Sequence, residues 1–235
     1  MLGRTVSTAG ARRGELVNAF MRGVYGWMTA GLGVTALTAL AVASSESMLQ
    51  LIFGNAMITI MLFIGQIGLV MYLSARINKL SGSAATGLFL AYSALNGVTL
   101  SAILLVYASS TIFNAFFTAA GMFAAMSIYG MATKKDLTGM GQFMMMGLFG
   151  LIIASIINMF IGNGPMDMVI SIIGVIIFAG LTAYDSQKLR YMGETMPMGD
   201  ETAIRRGSIL GALTLYLDFI NLFLFLLRLF GGSRD

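Results

Sequence analysis

Two aspartates stand in apolar runs of this chain. Asp218 lies near the middle of residues 213–230, LTLYLDFINLFLFLLRLF, and Asp185 lies near the end of an earlier run. An Asp at the centre of a membrane helix costs about 2.5 to 3.5 kcal/mol on insertion scales, so it requires a partner or a function. Asp218 is therefore a candidate functional residue. For Asp185, nearer a helix end, the composition leaves a structural and a functional role equally open.

The polar residues around both aspartates follow a helical period. At about 100° per residue, one side of the 213–230 run spans an arc of about 80° and carries Thr214, Asp218, Asn221 and Arg228. The preceding run places on one face Ser171, Thr182 and Asp185. Such faces point toward other helices or water rather than lipid. For the neutral residues the simpler interpretation is hydrogen bonding between helices, at about 0.6 kcal/mol each.

The composition indicates which elements must position these residues. The chain has 235 residues, of which 57% are hydrophobic and 10% are charged, whereas a soluble domain has about 25% charged residues. A membrane-spanning helix needs about 20 mostly apolar residues. Seven segments qualify, at 23–43, 51–73, 84–106, 111–132, 141–161, 166–187 and 208–230. Both prolines are expected in loops. The predicted fold is an all-α polytopic membrane protein with a seven-helix domain at 23–235.

The distribution of basic residues predicts an orientation. Twelve of the 14 Lys and Arg residues fall on one side of this arrangement, counting the N-terminal segment and alternate loops. The positive-inside rule then places the N-terminal segment 1–22 in the cytoplasm and the C-terminus outside. Because the basic residues are spread over short loops, nucleic acid is not an expected partner, and the lipid bilayer is. No protein partner is indicated.

Histidine and cysteine are both absent. Without cysteine the chain has no thiolate chemistry. Without histidine it lacks the commonest metal ligand and the side chain that usually titrates near neutral pH. Proton sensing in this chain would have to use carboxyl groups. We expect no cofactor and no enzymatic activity.

Several segments resemble one known family. FAGLTAYDSQKLR at 178–190 and SILGALTLYLDFINLFLFLLRLFG at 208–231 are similar to the two most characteristic segments of the Bax inhibitor-1 family, also called the transmembrane BAX inhibitor motif proteins. VYGWMTAGL at 24–32 and ATKKDLTGMG at 132–141 are typical of its bacterial members. The resemblance runs from about residue 15 to the C-terminus and suggests the bacterial inner membrane.

The resemblance implies a fold and a set of functional residues. Family members have a seventh helix surrounded by the other six, and they are associated with a pH-sensitive calcium leak. The family's pair of pore aspartates corresponds to Asp185 and Asp218, and the arginine that latches the first of them corresponds to Arg76. A further arginine near the end of helix seven is Arg228. Its acidic partner on helix two, found in some relatives, is missing here, where Gln66 is the nearest polar residue.

These expectations combine into one mechanism. Ionised Asp185, held by Arg76, closes the cytoplasmic end of a pore, and protonation weakens this latch. Ionised Asp218 offers hard oxygen to a passing Ca²⁺, while Thr182, Thr214, Asn221 and Arg228 form a secondary polar face. Asp185 and Asp218 are thus predicted to bind Ca²⁺ weakly and transiently, and Ca²⁺ and H⁺ are the expected partners.

Other function classes fit the sequence less well. The strongest rival is a non-conducting regulatory protein that acts through partners in a stress response. An intramembrane aspartyl protease would also use two aspartates, but its Gly-x-Gly-Asp and Pro-Ala-Leu motifs are absent. A proton-coupled transporter usually has broken helices and internal repeats, and neither is apparent in the sequence.

Overall fold

The structure is a computed structural model that describes residues 2–197 and 200–231, without the side chains of residues 2–11 and residue 78. Its α-helices are α1 (Leu2–Ala43), α2 (Glu46–Phe53), α3 (Ala56–Arg76), α4 (Gly82–Leu100), α5 (Ile103–Val106), α6 (Ser109–Ala132), α7 (Thr138–Ile161), α8 (Gly164–Thr195) and α9 (Glu201–Gly231). A short 3₁₀ helix, Ile77–Lys79, follows α3. The described ranges contain no strand, which confirms the predicted all-α class.

Seven stretches of these helices are long and apolar enough to cross a membrane: α1 from Arg12, α3, α4 together with α5, α6, α7, α8 and α9. This confirms the predicted count of spans. The spans differ in burial. In an apolar stretch of 18 residues, 67% of α9 is buried, whereas 11% is buried in α3 and in α7. High burial of α9 is the property expected of a helix with protein on most of its faces.

Several helix ends differ from the predicted ends. Residues 2–22 are helical and continuous with the first span, so α1 is longer than the predicted 23–43. The predicted 51–73 helix begins at Ala56 instead, because Asn55 accepts a hydrogen bond from the amide of Met57 and caps α3. The preceding residues form the separate short helix α2, which is capped by Ser45.

Two further boundaries correct the sequence analysis. The predicted 84–106 segment is interrupted after Leu100, so that α4 and α5 share it. Pro165, which we expected in a loop, is the second residue of α8. Proline is tolerated there because the first amides of a helix have no intrahelical acceptor. The division into a cytoplasmic segment at 1–22 and a domain at 23–235 stays a prediction.

The chain divides into two compact units, of which the first contains residues 1–106 and 191–213. In this unit α1 packs on α4, and α4 on α3. A side chain at Gly97 would meet the backbone of Thr35 and Ala39, so the glycine permits close contact between α4 and α1. The hydroxyl of Thr35 also donates to the Ser93 carbonyl at 2.9 Å. The first unit is thus held by small residues and by hydroxyl hydrogen bonds.

The second unit contains residues 107–190 and 214–235, of which the last described residue is Gly231. Here α6 contacts α8 so closely that a side chain at Gly130 would overlap the carbonyl of Ala183. The ring of Phe219 on α9 lies 5.6 Å from that of Phe123 on α6. On the other side of α9, Phe225 stacks on Phe178 of α8 at 5.8 Å.

The loop between α6 and α7 is ordered by polar contacts. The carboxylate of Asp136 accepts hydrogen bonds from the amide and the hydroxyl of Thr138, at 2.9 and 2.6 Å. These bonds favour the charged form, so the pKa of Asp136 is lowered. The buried amide of Gln187 on α8 bridges the same loop, because it donates to the Lys135 carbonyl and accepts from the Leu137 amide.

Candidate functional site

A cavity of about 660 Å³ lies within the second unit, among α7, α8 and α9. Its walls are mainly Leu, Ile, Met and Phe side chains from the three helices. The polar residues that line it are Ser155, Tyr184, Asp185, Lys188, Thr214, Asp218 and Asn221. A mostly apolar cavity with a few polar groups is the usual form of a binding or conducting site.

Both predicted aspartates line this cavity. Asp218 is 5% exposed and comes from the middle of α9, whereas Asp185 is half-buried and comes from the C-terminal half of α8. The two carboxyl groups are near neighbours whose charges influence each other. Oδ2 of Asp218 has no hydrogen-bond partner among the residues that the structure describes.

Two members of the predicted polar face of α9 also line the cavity. Thr214 and Asn221 lie one helical turn before and one turn after Asp218, as the spacing predicts. The amide of Asn221 donates to the Leu217 carbonyl at 2.8 Å, which leaves its oxygen available to the cavity. The helical period therefore identified the face of α9 that meets the cavity.

The remaining predicted site residues lie away from the cavity lining. Thr182 is fully buried and donates to the carbonyl of Phe178 in its own helix at 2.7 Å. Arg228 is exposed, and its guanidinium lies 5.7 Å from the ring centre of Phe225. Arg76 is the exposed last residue of α3 and belongs to the first unit. Roles for these three residues stay predictions, including the latch to Asp185.

Lys188 is a cavity residue that was not predicted from the sequence. It lies three residues after Asp185, lines the same cavity and interacts electrostatically with that carboxylate. Its ammonium also lies 5.7 Å from the ring centre of Tyr184. The predicted segment ends at residue 187, which places Lys188 in a loop. The i, i+3 spacing would have identified it, since residues three apart share a helix face.

A tightly held metal is not indicated by this arrangement. Among the residues that the structure describes, no three Asp, Glu, His or Cys side chains cluster. The charged oxygens of the cavity come from two carboxyl groups, and the other oxygen donors are the neutral side chains of Ser155, Tyr184, Thr214 and Asn221, whereas tight Ca²⁺ sites use more carboxylates. A hard cation would therefore be held only weakly here.

Known proteins are similar to this chain along most of its length. Residues 17–235 match the model of the family described as "Inhibitor of apoptosis-promoting Bax1". The chain belongs to the Bax inhibitor-1 family. The inner membrane protein YbhL of Escherichia coli K12 is 51% identical over 92% of both chains. An uncharacterized protein of Borreliella burgdorferi is 45% identical over 93% of this chain and 94% of its own.

Gln66, the polar residue on helix two that the sequence analysis named, forms hydrogen bonds between two helices of this Bax inhibitor-1 family member. Gln66 on α3 is buried, and its amide donates to the Leu95 carbonyl at 2.8 Å and to the Thr99 hydroxyl at 3.1 Å, both on α4. Its side chain therefore connects α3 and α4 of the first unit. Hydrogen bonding between helices is the role predicted for most of the neutral polar residues.

Proposed function

We propose that this protein is a pH-sensitive cation leak channel, with Ca²⁺ as the permeant ion. It is a multi-pass membrane protein, and by analogy with the name of its Escherichia coli relative we place it in the inner membrane of a bacterium. The observation that carries the proposal is the meeting of Asp185 and Asp218 in one cavity among membrane-spanning helices. We propose no enzymatic activity for it.

The carboxyl pair supplies the pH sensitivity in this proposal. Two carboxyl groups in contact and out of bulk water cannot both ionise cheaply, so they share a proton and titrate as one unit. Loss or gain of that proton changes the charge of the cavity. Since the chain has no histidine, this pair is the group that we propose to respond to pH.

Lys188 gives the pH dependence a direction. While Asp185 is ionised, it holds the ammonium of Lys188 at the cavity, where we propose that the lysine side chain obstructs the path of a cation. Protonation of Asp185 removes that attraction, and the flexible lysine side chain can then extend toward water. The exposed position of Lys188 on α8 allows this movement. Cation flux is therefore expected to rise as the pH falls.

Weak coordination is consistent with a leak. The two carboxyl groups and the oxygens of Thr214 and Asn221 replace part of the hydration shell of Ca²⁺ but not all of it. An ion that is bound weakly leaves quickly, which conduction requires. We also propose that the N-terminus lies in the cytoplasm and the C-terminus outside, as the positive-inside rule predicts.

The test is ⁴⁵Ca²⁺ uptake into liposomes that contain the purified protein, measured from pH 5.5 to 8. We expect flux above that of protein-free liposomes, a rise at low pH, and a changed flux and a flatter pH profile for Asp218→Asn. Asp167→Asn, which removes an exposed acid at the start of α8, serves as the control. If flux equals that of empty liposomes, the leak is rejected and the non-conducting regulatory role is favoured.

A further inference from the structure

The cavity among α7, α8 and α9 is open on one side rather than enclosed. Its lining residues on α7 cover an arc of about 140°, at about 100° per residue, and their exposure changes across that arc. Leu151 at one edge is 5% exposed, whereas Ile152 and Ile156 toward the other edge are 47% and 51% exposed. The cavity lining of α7 therefore continues onto the outer surface of the protein, so the opening lies beside α7.

The accessible part of α9 lies largely in this cavity. From residue 207 to residue 227, every residue of α9 is buried or half-buried. Four of the half-buried residues line the cavity, namely Thr214, Leu217, Asn221 and Phe225. A molecule that touches Leu217 has therefore entered the cavity and has not merely passed along the outer surface.

The opening lies at the depth of the hydrocarbon of the bilayer. The exposed lining residues of α7 are Met145, Ile152 and Ile156, and the distance along the helix from the first to the last is about 16 Å at about 1.5 Å per residue. This stretch is centred near the middle of α7, so it fits inside a hydrocarbon core that is about 30 Å thick. The sequence of α7 contains no charged residue. The molecules beside the opening are therefore lipid acyl chains, not headgroups.

The cavity lining is suited to a neutral, apolar guest. Asp185 and Asp218 with one shared proton carry a single negative charge, and the ammonium of Lys188 balances it, so the charged residues of the lining sum to zero. Most of the remaining lining consists of Leu, Ile, Met and Phe side chains. A hydrocarbon chain enters such a space without losing hydrogen bonds to water, whereas a polar guest would lose them.

We infer that this cavity is a lateral binding site for the acyl chain of a membrane phospholipid. The end of the chain enters beside Ile152 and Ile156 and lies against Leu148 and Leu217, while the headgroup stays at the membrane surface. It is the end that enters because the opening is centred near the middle of the bilayer, where acyl chains end. This inference goes beyond the proposed leak, because a chain can enter whether or not the cavity conducts.

The test is photolabelling of the protein in phosphatidylcholine nanodiscs that contain a small fraction of a diazirine lipid. Two probes are compared: one phosphatidylcholine has the diazirine near the methyl end of an acyl chain, and the other has it next to the glycerol ester. We expect the first probe to label Leu217, located by mass spectrometry, and the second to leave Leu217 unlabelled. A chain-end probe that labels only exposed residues such as Ile153 and Phe160 would overturn the inference.

Two variants locate the binding. Leu148→Trp places an indole ring in the cavity, so the chain-end probe should no longer label Leu217 but should still label the exposed Phe160. Ile153→Trp is the matched control, because Ile153 is an exposed residue of α7 outside the lining, and it should leave the labelling of Leu217 unchanged. Labelling of Leu217 that survives Leu148→Trp would contradict the site. If Leu148→Trp fails to fold, the comparison of the two probes on the wild type still decides.

Two other occupants of the opening would give different results. If a diazirine derivative of palmitic acid labels Leu217 and the diazirine phospholipid does not, the cavity takes a free fatty acid. If a photo-crosslinking amino acid at position 152 joins two protein chains instead of lipid, the opening is covered by a second copy. Either result would overturn the inference. Because none of these readouts depends on ion flux, the acyl-chain site and the proposed leak can fail separately.

Discussion

Asp218 is a costly residue at the centre of an apolar helix. A charged Asp at that depth costs about 2.5 to 3.5 kcal/mol. Asp185 lines the same cavity, and two carboxyl groups that share a proton avoid part of this cost. We propose a functional reason for this arrangement, because an apolar residue would fit the same helix without that cost. The two aspartates therefore carry the proposed activity.

Lys188 is the residue with the most specific prediction. Lys188→Gln removes a positive charge beside the cavity, so Ca²⁺ flux at pH 7 should rise about two- to tenfold. The rise of flux at low pH should become smaller, because no ammonium remains to be released. Lys188→Arg keeps the charge and should behave like the wild type. ⁴⁵Ca²⁺ uptake checks both variants.

Lys135→Gln is the matched control for this prediction. Lys135 is exposed in the loop between α6 and α7, and its backbone carbonyl rather than its side chain accepts from Gln187. Its substitution should leave the flux unchanged. Equal flux for Lys188→Gln and Lys135→Gln would show that the charge of Lys188 does not control the flux.

Much of the candidate site could be predicted because a polar residue is conspicuous in an apolar helix. Asp185, Asp218, Thr214 and Asn221 were found this way, and all four line the cavity. Lys188 was missed because charged residues are frequent at the ends of membrane helices, where they indicate orientation. No sequence pattern distinguishes a lysine beside a cavity from one in a loop unless the end of the helix is known.

At the scale of elements, long apolar runs predicted the spans well and their ends less well. The interruption of α4 after Leu100 has no hydropathy signal, since Ile103–Val106 is as apolar as the residues before it. Ser101 marks the break by donating to the Val98 carbonyl at 2.7 Å. Such local hydrogen bonds compete with the helix, and they depend on geometry that composition does not contain.

Close contact between α6 and α8 predicts a stability effect. In Gly130→Ala the added methyl would overlap the backbone carbonyl of Ala183, and overpacking of this kind costs about 1 to 3 kcal/mol. The midpoint of thermal unfolding, followed by far-UV circular dichroism in detergent, should fall by several degrees. Gly121→Ala on the same helix has open space around it and should not lower the midpoint. A midpoint that is the same for both variants would argue against this contact.

The bridge from α8 to the loop between α6 and α7 makes a second stability prediction. Gln187→Leu would leave the Leu137 amide without its acceptor, which costs about 1 to 3 kcal/mol when the group is buried. We expect a lower thermal midpoint than for Gln142→Leu, a substitution at an exposed position of α7. If both glutamine variants unfold at the wild-type temperature, this hydrogen-bonded bridge does not stabilise the unit.

At the scale of the whole molecule, the charge distribution predicts how the chain lies in the membrane. Reporter fusions in a bacterial host measure this directly. We expect a green fluorescent protein fused at the N-terminus to fluoresce, and alkaline phosphatase fused at the C-terminus to be active. Both follow from the excess of Lys and Arg on one side of the seven spans. The reverse result, with phosphatase active at the loop between α6 and α7, would require a different orientation.

The central claim is that Asp185 and Asp218 act as one proton-binding unit that controls a cation leak. A double-mutant cycle of Asp185→Asn, Asp218→Asn and the double variant, with ⁴⁵Ca²⁺ flux measured across pH, tests it most directly. The account predicts that each single variant loses most of the pH dependence and that the double variant loses little more, because the pair titrates together. Independent, additive effects of the two substitutions, or a pH profile that survives in the double variant, would contradict it.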